Sequence, residues 1–328
     1  MLFQKIEPVI AQAKRAVLVC HQNADPDALC STFVFSKLLE RVNQGLQTEI
    51  ATPEGISRLS KILLERLPIR ILTVKPNFEK LDVIFILDTN TVQQLGVWSQ
   101  EIKSVRVPIV VIDHHASHPE TEKMATICIS EENSSSTCEI VYRFFKELGL
   151  KPSQIESKAL FLGIAFDTRH FTLANSDTFR VVSDLVDLGV NAQEALSLLS
   201  LPMVPSERIA RLKAGQRVKL VRIRDWIIAF SHAGSYQASA ARALIESGAH
   251  LAVVLGQKGE VVEISLRANQ EFYKKTEFHL GRDLARPLGE YLRGMGGGHS
   301  TSAGVDGIGD FDMVVKRSVR LLKEKLEK

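Results

Sequence analysis

The chain predicts an α/β fold in two domains. The first is an N-terminal doubly wound, mainly parallel sheet, and the second a smaller C-terminal α/β domain, with a cleft expected between them. Three observations predict this. With 328 residues, 45% of them hydrophobic, the chain exceeds what one core usually serves. Val83–Leu87 and Val107–Ile112 are unbroken apolar runs, as in parallel strands buried on both faces. Such runs alternate with segments of helical period, which implies βαβ winding.

Taken in order, residues 4–14 carry a helical pattern and Ala16–Cys20 is a short apolar strand. Ala28–Glu40 follows as a helix with Leu29, Phe33 and Leu38 turned inward. Thr48–Ala51, Ile71–Val74, Val83–Leu87, Val107–Ile112 and Ala125–Ile129 are the predicted strands. Helices are expected over 136–148, 155–166 and 176–188. Ser200-Leu-Pro202-Met-Val-Pro205 interrupts the pattern, because closely spaced prolines end helices. The expected division is therefore a first domain over 1–193, a linker over 194–212 and a second domain over 213–328. In the latter, strands are predicted at Val218–Ile223, Trp226–Ser231, Leu251–Gly256 and Val261–Leu266, with helices near 238–247 and 281–292. Val315, Val319, Leu322 and Leu326 form one stripe of a closing helix.

A net charge of +3 and a pI of 8.6 exert little long-range pull on a long nucleic acid, so a short or small phosphorylated substrate fits better. Cys20, Cys30, Cys128 and Cys138 contain no Cys-x-x-Cys pair, which argues against a thiolate zinc site or a redox motif. They read as small core residues of a reducing compartment. No apolar stretch approaches the ~20 residues of a membrane span, and the N-terminus does not read as a signal peptide. A cytoplasmic protein with no membrane partner is expected.

The chemistry lies in polar residues at the ends of apolar runs. His21-Gln-Asn-Ala-Asp25-Pro-Asp27 follows the first strand, Asp88-Thr89 follows Val83–Leu87, and Asp113-His114-His115 follows Val107–Ile112. Asp167 closes the run Ala159–Phe166. Pro26 stiffens the loop expected to carry Asp25 and Asp27. Ligands of open α/β sheets bind at the carboxyl ends of strands. Four carboxylates brought together there repel one another or protonate, unless cations neutralise them. Singly, Asp25 or Asp27 reads as a helix cap, Asp88 as a turn residue and each histidine as structural. Jointly they read as a site for two divalent cations, with His21 and His114 completing the donor set. Oxygen and imidazole donors favour manganese or magnesium, with cobalt or zinc as alternatives.

Near the C-terminus, Gly296-Gly-Gly298-His299 is too rich in glycine to sit cheaply within a helix or strand. It reads as an anion-cradling loop. Arg267, ending a strand, offers a guanidinium suited to phosphate. Ser136 with Glu139 fits a capping box. Lys274, Lys275, Arg282 and Arg293 read as solvated surface charges.

These motifs resemble, in order, those of the DHH phosphoesterases: His21-x-Asn-Ala-Asp25-x-Asp27-Ala, Asp88-Thr89, Asp113-His114-His115 and Gly163-Ile-x-x-Asp167-Thr168. Gly296-Gly-Gly-His299-x-x-Ser-Ala-Gly304 is similar to the signature of their DHHA1 domain. The resemblance implies a dinuclear, usually manganese-dependent site. His21, Asp25 and Asp88 would hold one ion, and Asp27, Asp88, His114 and Asp167 the other, with Asp88 bridging. His115 would face the substrate phosphate and assist the leaving group, which makes Asp88 and His115 the catalytic residues. Arg267, Gly296, Gly297, Gly298 and His299 would grip a phosphate or terminal nucleotide. The family usually has glycine at Cys30, and Thr-Gly-x-Phe-Arg where this chain has Thr168-Arg169-His170-Phe171-Thr172.

The expected activity is hydrolysis of short single-stranded oligonucleotides, linear dinucleotides of the pApA type or 3′-phosphoadenosine 5′-phosphate. This is the oligoribonuclease and pAp phosphatase type of the family, and a homodimer is compatible with it. A RecJ-like single-strand exonuclease is the main alternative. An inorganic pyrophosphatase and a non-catalytic replication scaffold are lesser ones.

Overall fold

A computed structural model describes residues 1–200 and 203–327. The chain divides into two compact units, Met1–Leu201 and Pro202–Lys328. Among the described residues no helix is long and apolar enough to cross a membrane.

The first unit runs α1 (Glu7–Ala11), β1 (Arg15–Val19), α2 (Pro26–Val42), β2 (Gln47–Ala51), α3 (Arg58–Leu64), β3 (Val83–Leu87), α4 (Ser99–Ser104), β4 (Ile109–Asp113), α5 (Pro119–Met124) and β5 (Ile127–Ser130). It ends with α6 (Thr137–Glu147), α7 (Gln154–Asp167), α8 (Ser176–Asp187) and α9 (Ala192–Leu198). The strands form a parallel sheet in the order β2-β1-β3-β4-β5. Every residue of β3 and β4 is buried, because the sheet is covered on both faces. Leu18 and Phe85 point toward α2, α6 and α7, while Val17, Ile84 and Ile86 pack with Phe78, Leu95 and Trp98 on the other side. The chain leaves β1 toward β2 on one side and reaches β3 on the other. That reversal makes the carboxyl ends of β1 and β3 the natural crevice of such a sheet.

The second unit comprises α10 (Pro205–Gln216), β6 (Lys219–Ile223), β7 (Trp226–His232), α11 (Gln237–Glu246), β8 (Leu251–Lys258) and β9 (Val261–Ala268). It continues with α12 (Gln270–Thr276), α13 (Arg286–Tyr291), β10 (Gly296–Gly298), β11 (Ser302–Ile308) and α14 (Phe311–Leu326). Its six-stranded mixed sheet has the order β10-β11-β9-β8-β7-β6, with only β7 and β8 parallel. Alternate residues of the buried strand β8 face two different clusters. Leu251, Val253 and Leu255 face a large apolar cluster with α13 and α14, and Ala252 and Val254 face a smaller alanine-rich one with α10 and α11.

Several local expectations need correction. Residues 4–14 split into a 3-10 turn, Phe3–Lys5, and the short α1. Ile71–Val74 is not a strand. It contributes one bridge, Leu72 to Ala51, and Leu72 and Val74 are exposed, so its β-branched residues lack a face to cover. The expected linker, 194–212, contains most of α9 and the start of α10. Pro205 opens α10 at its first position, where a missing N–H costs nothing; Pro202 lies outside the described residues. The helix near 281–292 begins as a π turn, Leu280–Ala285, before α13. Pro287, lacking an N–H, cannot make the usual bond to the fourth residue before it. The buried stripe of α14 is Val314, Ser318, Leu322 and Leu326, with Val315 and Val319 flanking it.

Candidate metal centre

Local chemistry sets each donor. Asp25 is the N-cap of α2, its Oδ1 accepting from the N–H groups of Asp27 (3.0 Å) and Ala28 (3.1 Å). The stiff loop expected for both aspartates is therefore a helix start, with Pro26 at N1 and Asp27 in the first turn. Helical capping and site-building are compatible here, since Asp25 keeps its second oxygen free of backbone. Asp88 ends β3 with φ of 54°. Aspartate tolerates this left-handed region better than most residues. Its carboxylate lies beside His21 and His114.

The residues converge. His21 Nε2 lies 3.8 Å from Asp25 Oδ2 and 3.9 Å from Asp88 Oδ2. His114 Nε2 lies 3.5 Å from Asp88 Oδ1 and 2.9 Å from Asp167 Oδ2. One set of mutually close donor atoms comprises His21, Asp25 and Asp88; a second comprises Asp27, Asp88, His114 and Asp167. Asp88 belongs to both. A third set, Asp88, Asp113, His114 and His115, overlaps the second. Asp113 Oδ1 accepts from the backbone N–H of His115 (3.0 Å) and lies 2.7 Å from its Nδ1, which fixes the ring.

The sequence did not reveal what holds these carboxylates. The amino end of α6 does so. Thr137 and Cys138 N–H donate to the two oxygens of Asp27, at 2.7 and 3.1 Å, and Thr137 Oγ1 donates to Asp88 at 3.0 Å. The positive end of the helix dipole thus offsets part of the negative charge. Ser136 caps α6, but Glu139 does not close the box. Its carboxylate takes Ser135 N–H, the Thr178 hydroxyl and Arg143. Gly163 on α7 is required by proximity: a Cβ there would lie 2.3 Å from Cys138 Sγ and 2.6 Å from Asp27 Oδ1. The only sequence cue for Thr137 was its place in a polar run just before an apolar helix.

The electrostatics are unfavourable for bare protein. Burial, followed by repulsion from Asp25, Asp167 and Asp113, pushes Asp88 up to about 7. Burial and the neighbouring Asp88 and Asp167 likewise push Asp27 well above the carboxylate range. Burial works against charge on His21, yet Asp25, the Gln22 carbonyl and Asp88 outweigh it and hold it at about 9. His114 Nε2 is buried and makes no hydrogen bond of acceptable geometry, even to the adjacent Asp167. His21 Nδ1 is engaged by the Gln22 carbonyl at 2.8 Å, which leaves Nε2 as the nitrogen that could ligate a cation once its proton is displaced. Crowded acids, an orphaned imidazole nitrogen and an oriented second one are a donor set suited to hard divalent cations. The four cysteines are free, with Cys20, Cys30 and Cys138 buried. Burial pushes the thiol of Cys30 well above its ordinary range, which fits packing.

The second unit carries the remaining candidates. The expected glycine loop is instead β10, an edge strand paired with β11. The glycines are needed by close packing. A Cβ on Gly296 would lie 1.9 Å from the Ala285 carbonyl, and one on Gly298, at φ of 141°, 2.5 Å from Ala303 Cα. Gly297 has open space. Arg267 is in register with Ser302, and Ala268 N–H bonds to Thr301, so the hairpin bearing exposed His299 lies beside the end of β9. Burial, then the nearby Arg242 guanidinium, lowers the pKa of Arg267. Arg242 is a cation that sequence reading did not single out. Lys275 pairs with Glu271 and Arg282 with Asp283, as surface charges do.

Comparison with known proteins fixes the family. Residues 15–164 match the N-terminal domain of the DHH family. An uncharacterized protein of Methanocaldococcus jannaschii is 34% identical over 294 residues, 88% of this chain and 86% of that protein. The chain belongs to the DHH family. Members are phosphoesterase and nuclease hydrolases, and this chain is a hydrolase of that class. A cyclic-di-AMP phosphodiesterase of Listeria monocytogenes is 23% identical over 202 residues, 58% of this DHH chain and 30% of that protein. The fold matches that of an exopolyphosphatase-related protein from Bacteroides fragilis, with a TM-score of 0.66 at 19% identity over 98% of this chain and 95% of that one.

Proposed function

We propose that the chain is a divalent-metal-dependent phosphoesterase acting on short oligonucleotides, linear dinucleotides or 3′-phosphoadenosine 5′-phosphate. The observation that carries this reading is the sharing of Asp88 by two donor sets. In this reading His21, Asp25 and Asp88 hold one cation, and Asp27, Asp88, His114 and Asp167 the other. Manganese suits the oxygen and imidazole donors best. When bound, such a pair activates water and offsets charge on phosphoryl oxygens.

The protein's own groups do the rest. Thr137 and the amino end of α6 hold Asp88 and Asp27 in place before any ligand arrives. His115 is half-exposed, and its hydrogen bond to Asp113 holds it protonated, at about 9. Its ring can donate to a phosphoryl oxygen or to the leaving group. Arg267 and His299, with Gly296, Gly297 and Gly298 shaping their edge, are the second unit's own candidate contacts to a phosphate. The small net charge suits short substrates.

The test is turnover with manganese on end-labelled oligonucleotides of graded length, 3′-phosphoadenosine 5′-phosphate and pyrophosphate. Short nucleotides should be cleaved fastest, and a chelator should stop the reaction. Cleavage of pyrophosphate alone would move the substrate assignment, and failure on every substrate would remove it.

A further inference from the structure

Beginning two positions beyond Asp167, three successive residues have left-handed backbone: Arg169 (φ 50°), His170 (φ 56°) and Phe171 (φ 66°). Residues with a Cβ avoid this region, and runs of it are rare. The turn is nevertheless held firmly. Arg169 N–H donates to Phe166 C=O at 3.1 Å and His170 N–H to Ala165 C=O at 2.7 Å. This is the Schellman end of a helix, whose left-handed position is ordinarily glycine. The Thr168 hydroxyl donates to Ile164 C=O and accepts from Phe171 N–H. Phe171 packs edge-on against buried Phe161 at 5.3 Å.

The frame is fixed, but its two polar side chains are unused. Arg169 and His170 are exposed, and among the described residues neither side chain makes a hydrogen bond or ion pair. A helix that needed only to stop would carry glycine there. Left-handed residues whose polar side chains find no partner among the described residues, two and three positions beyond the metal-type donor Asp167, point to a ligand. The aromatic series continues outward: the Phe179 ring is 6.3 Å from Phe171 and 53% exposed. A guanidinium and an imidazole on the turn whose next residue, Phe171, neighbours the exposed Phe179 ring match the two parts of a nucleotide, phosphate and base.

We propose that Arg169, His170 and Phe179 form a nucleotide-recognition edge of the metal centre. Arg169 and His170 grip a phosphate other than the one cleaved, and Phe179 stacks on the base. This rests on the reading of Asp167 as part of a hydrolytic site and adds what selects a nucleotide over an inorganic phosphate.

The experiment is equilibrium binding of pApA to the full chain with Ca2+ in place of Mn2+, alongside Mn2+ affinity and Tm. R169A and H170A should each weaken pApA binding about tenfold, as loss of a charge-assisted hydrogen bond does. F179A should weaken it severalfold, and Mn2+ affinity should stay constant in all three. R169G separates a structural role from a binding one. Relief of the left-handed turn should raise Tm by about 2–4 °C while pApA binding still falls tenfold. If R169G is stabilised yet R169G and F179A bind pApA like wild type, or if wild type does not bind pApA, the proposal is overturned. If wild type binds through these residues but cleaves nothing, the edge stands and the hydrolytic reading fails.

Discussion

The ends of β1, β3 and β4 and the glycine-rich edge β10 were both marked by sequence motifs, but the structure treats them differently. At the strand ends, buried acids crowd around His114, whose Nε2 lies 2.9 Å from Asp167, and Asp88 sits in left-handed backbone. Among the described residues, Thr137 and the amino end of α6 offset part of this cost, and a bound cation would offset more. At β10 every constraint is met within the fold. Gly296 and Gly298 are small because helix and strand backbones press on them, while Arg267 is half-buried and His299 exposed. An unsatisfied site specifies its ligand closely, whereas a satisfied surface only permits one.

The largest effect expected from this contrast is at Asp88. D88N keeps the shape and tolerates the positive φ, but it removes the shared charge. Turnover should fall roughly a thousandfold, several kcal/mol of barrier, and Mn2+ titration should show weakened binding at both positions. Loss at one position only would break the account of a shared ligand.

Next comes the pH dependence of stability. Asp88 is raised from about 3.8 to about 7, and His21 and His115 from about 6.5 to about 9. Groups whose folded pKa is raised stabilise most when protonated, and that stability is lost as pH rises through the folded value. Metal-free protein should therefore lose Tm steadily between pH 5 and 8. Saturating Mn2+, which competes with protons, should reverse the slope. Parallel profiles with and without metal would contradict the site.

The glycine edge should respond differently. G298A forces a Cβ against the β11 backbone and should cost about 2 kcal/mol or more by denaturant titration, whereas G297A should stay within about 0.5 kcal/mol. If G297A folds normally but abolishes substrate binding, the edge cradles an anion through its amides after all. Smallest is R267A: KM should rise about tenfold, with Mn2+ affinity unchanged. Equal loss of both would sever the distinction between the two regions.

Much of the first unit was legible because its signals are local. β3 and β4 are uninterrupted apolar runs, and the residue ending each one, or just beyond it, carries chemistry. What escaped was non-local or structural punctuation. Thr137 and α6 support Asp27 and Asp88 across about 110 and 49 positions of sequence, a relation no periodicity encodes. Pro205 starts a helix where it was read as a stop, since proline does either depending on register. The glycine run was read as a loop because intrinsic cost was weighed without the partner backbones that demand it. Arg169–Phe171 lacks the glycine that announces a left-handed turn, so only coordinates disclose it.

The central claim is that one carboxylate serves two cations. Anomalous diffraction from crystals soaked in Mn2+ tests it most directly. Two peaks flanking Asp88, one beside His21 and Asp25 and the other beside Asp27, His114 and Asp167, are expected. A single peak, or a pair in which Asp88 touches only one ion, would contradict it.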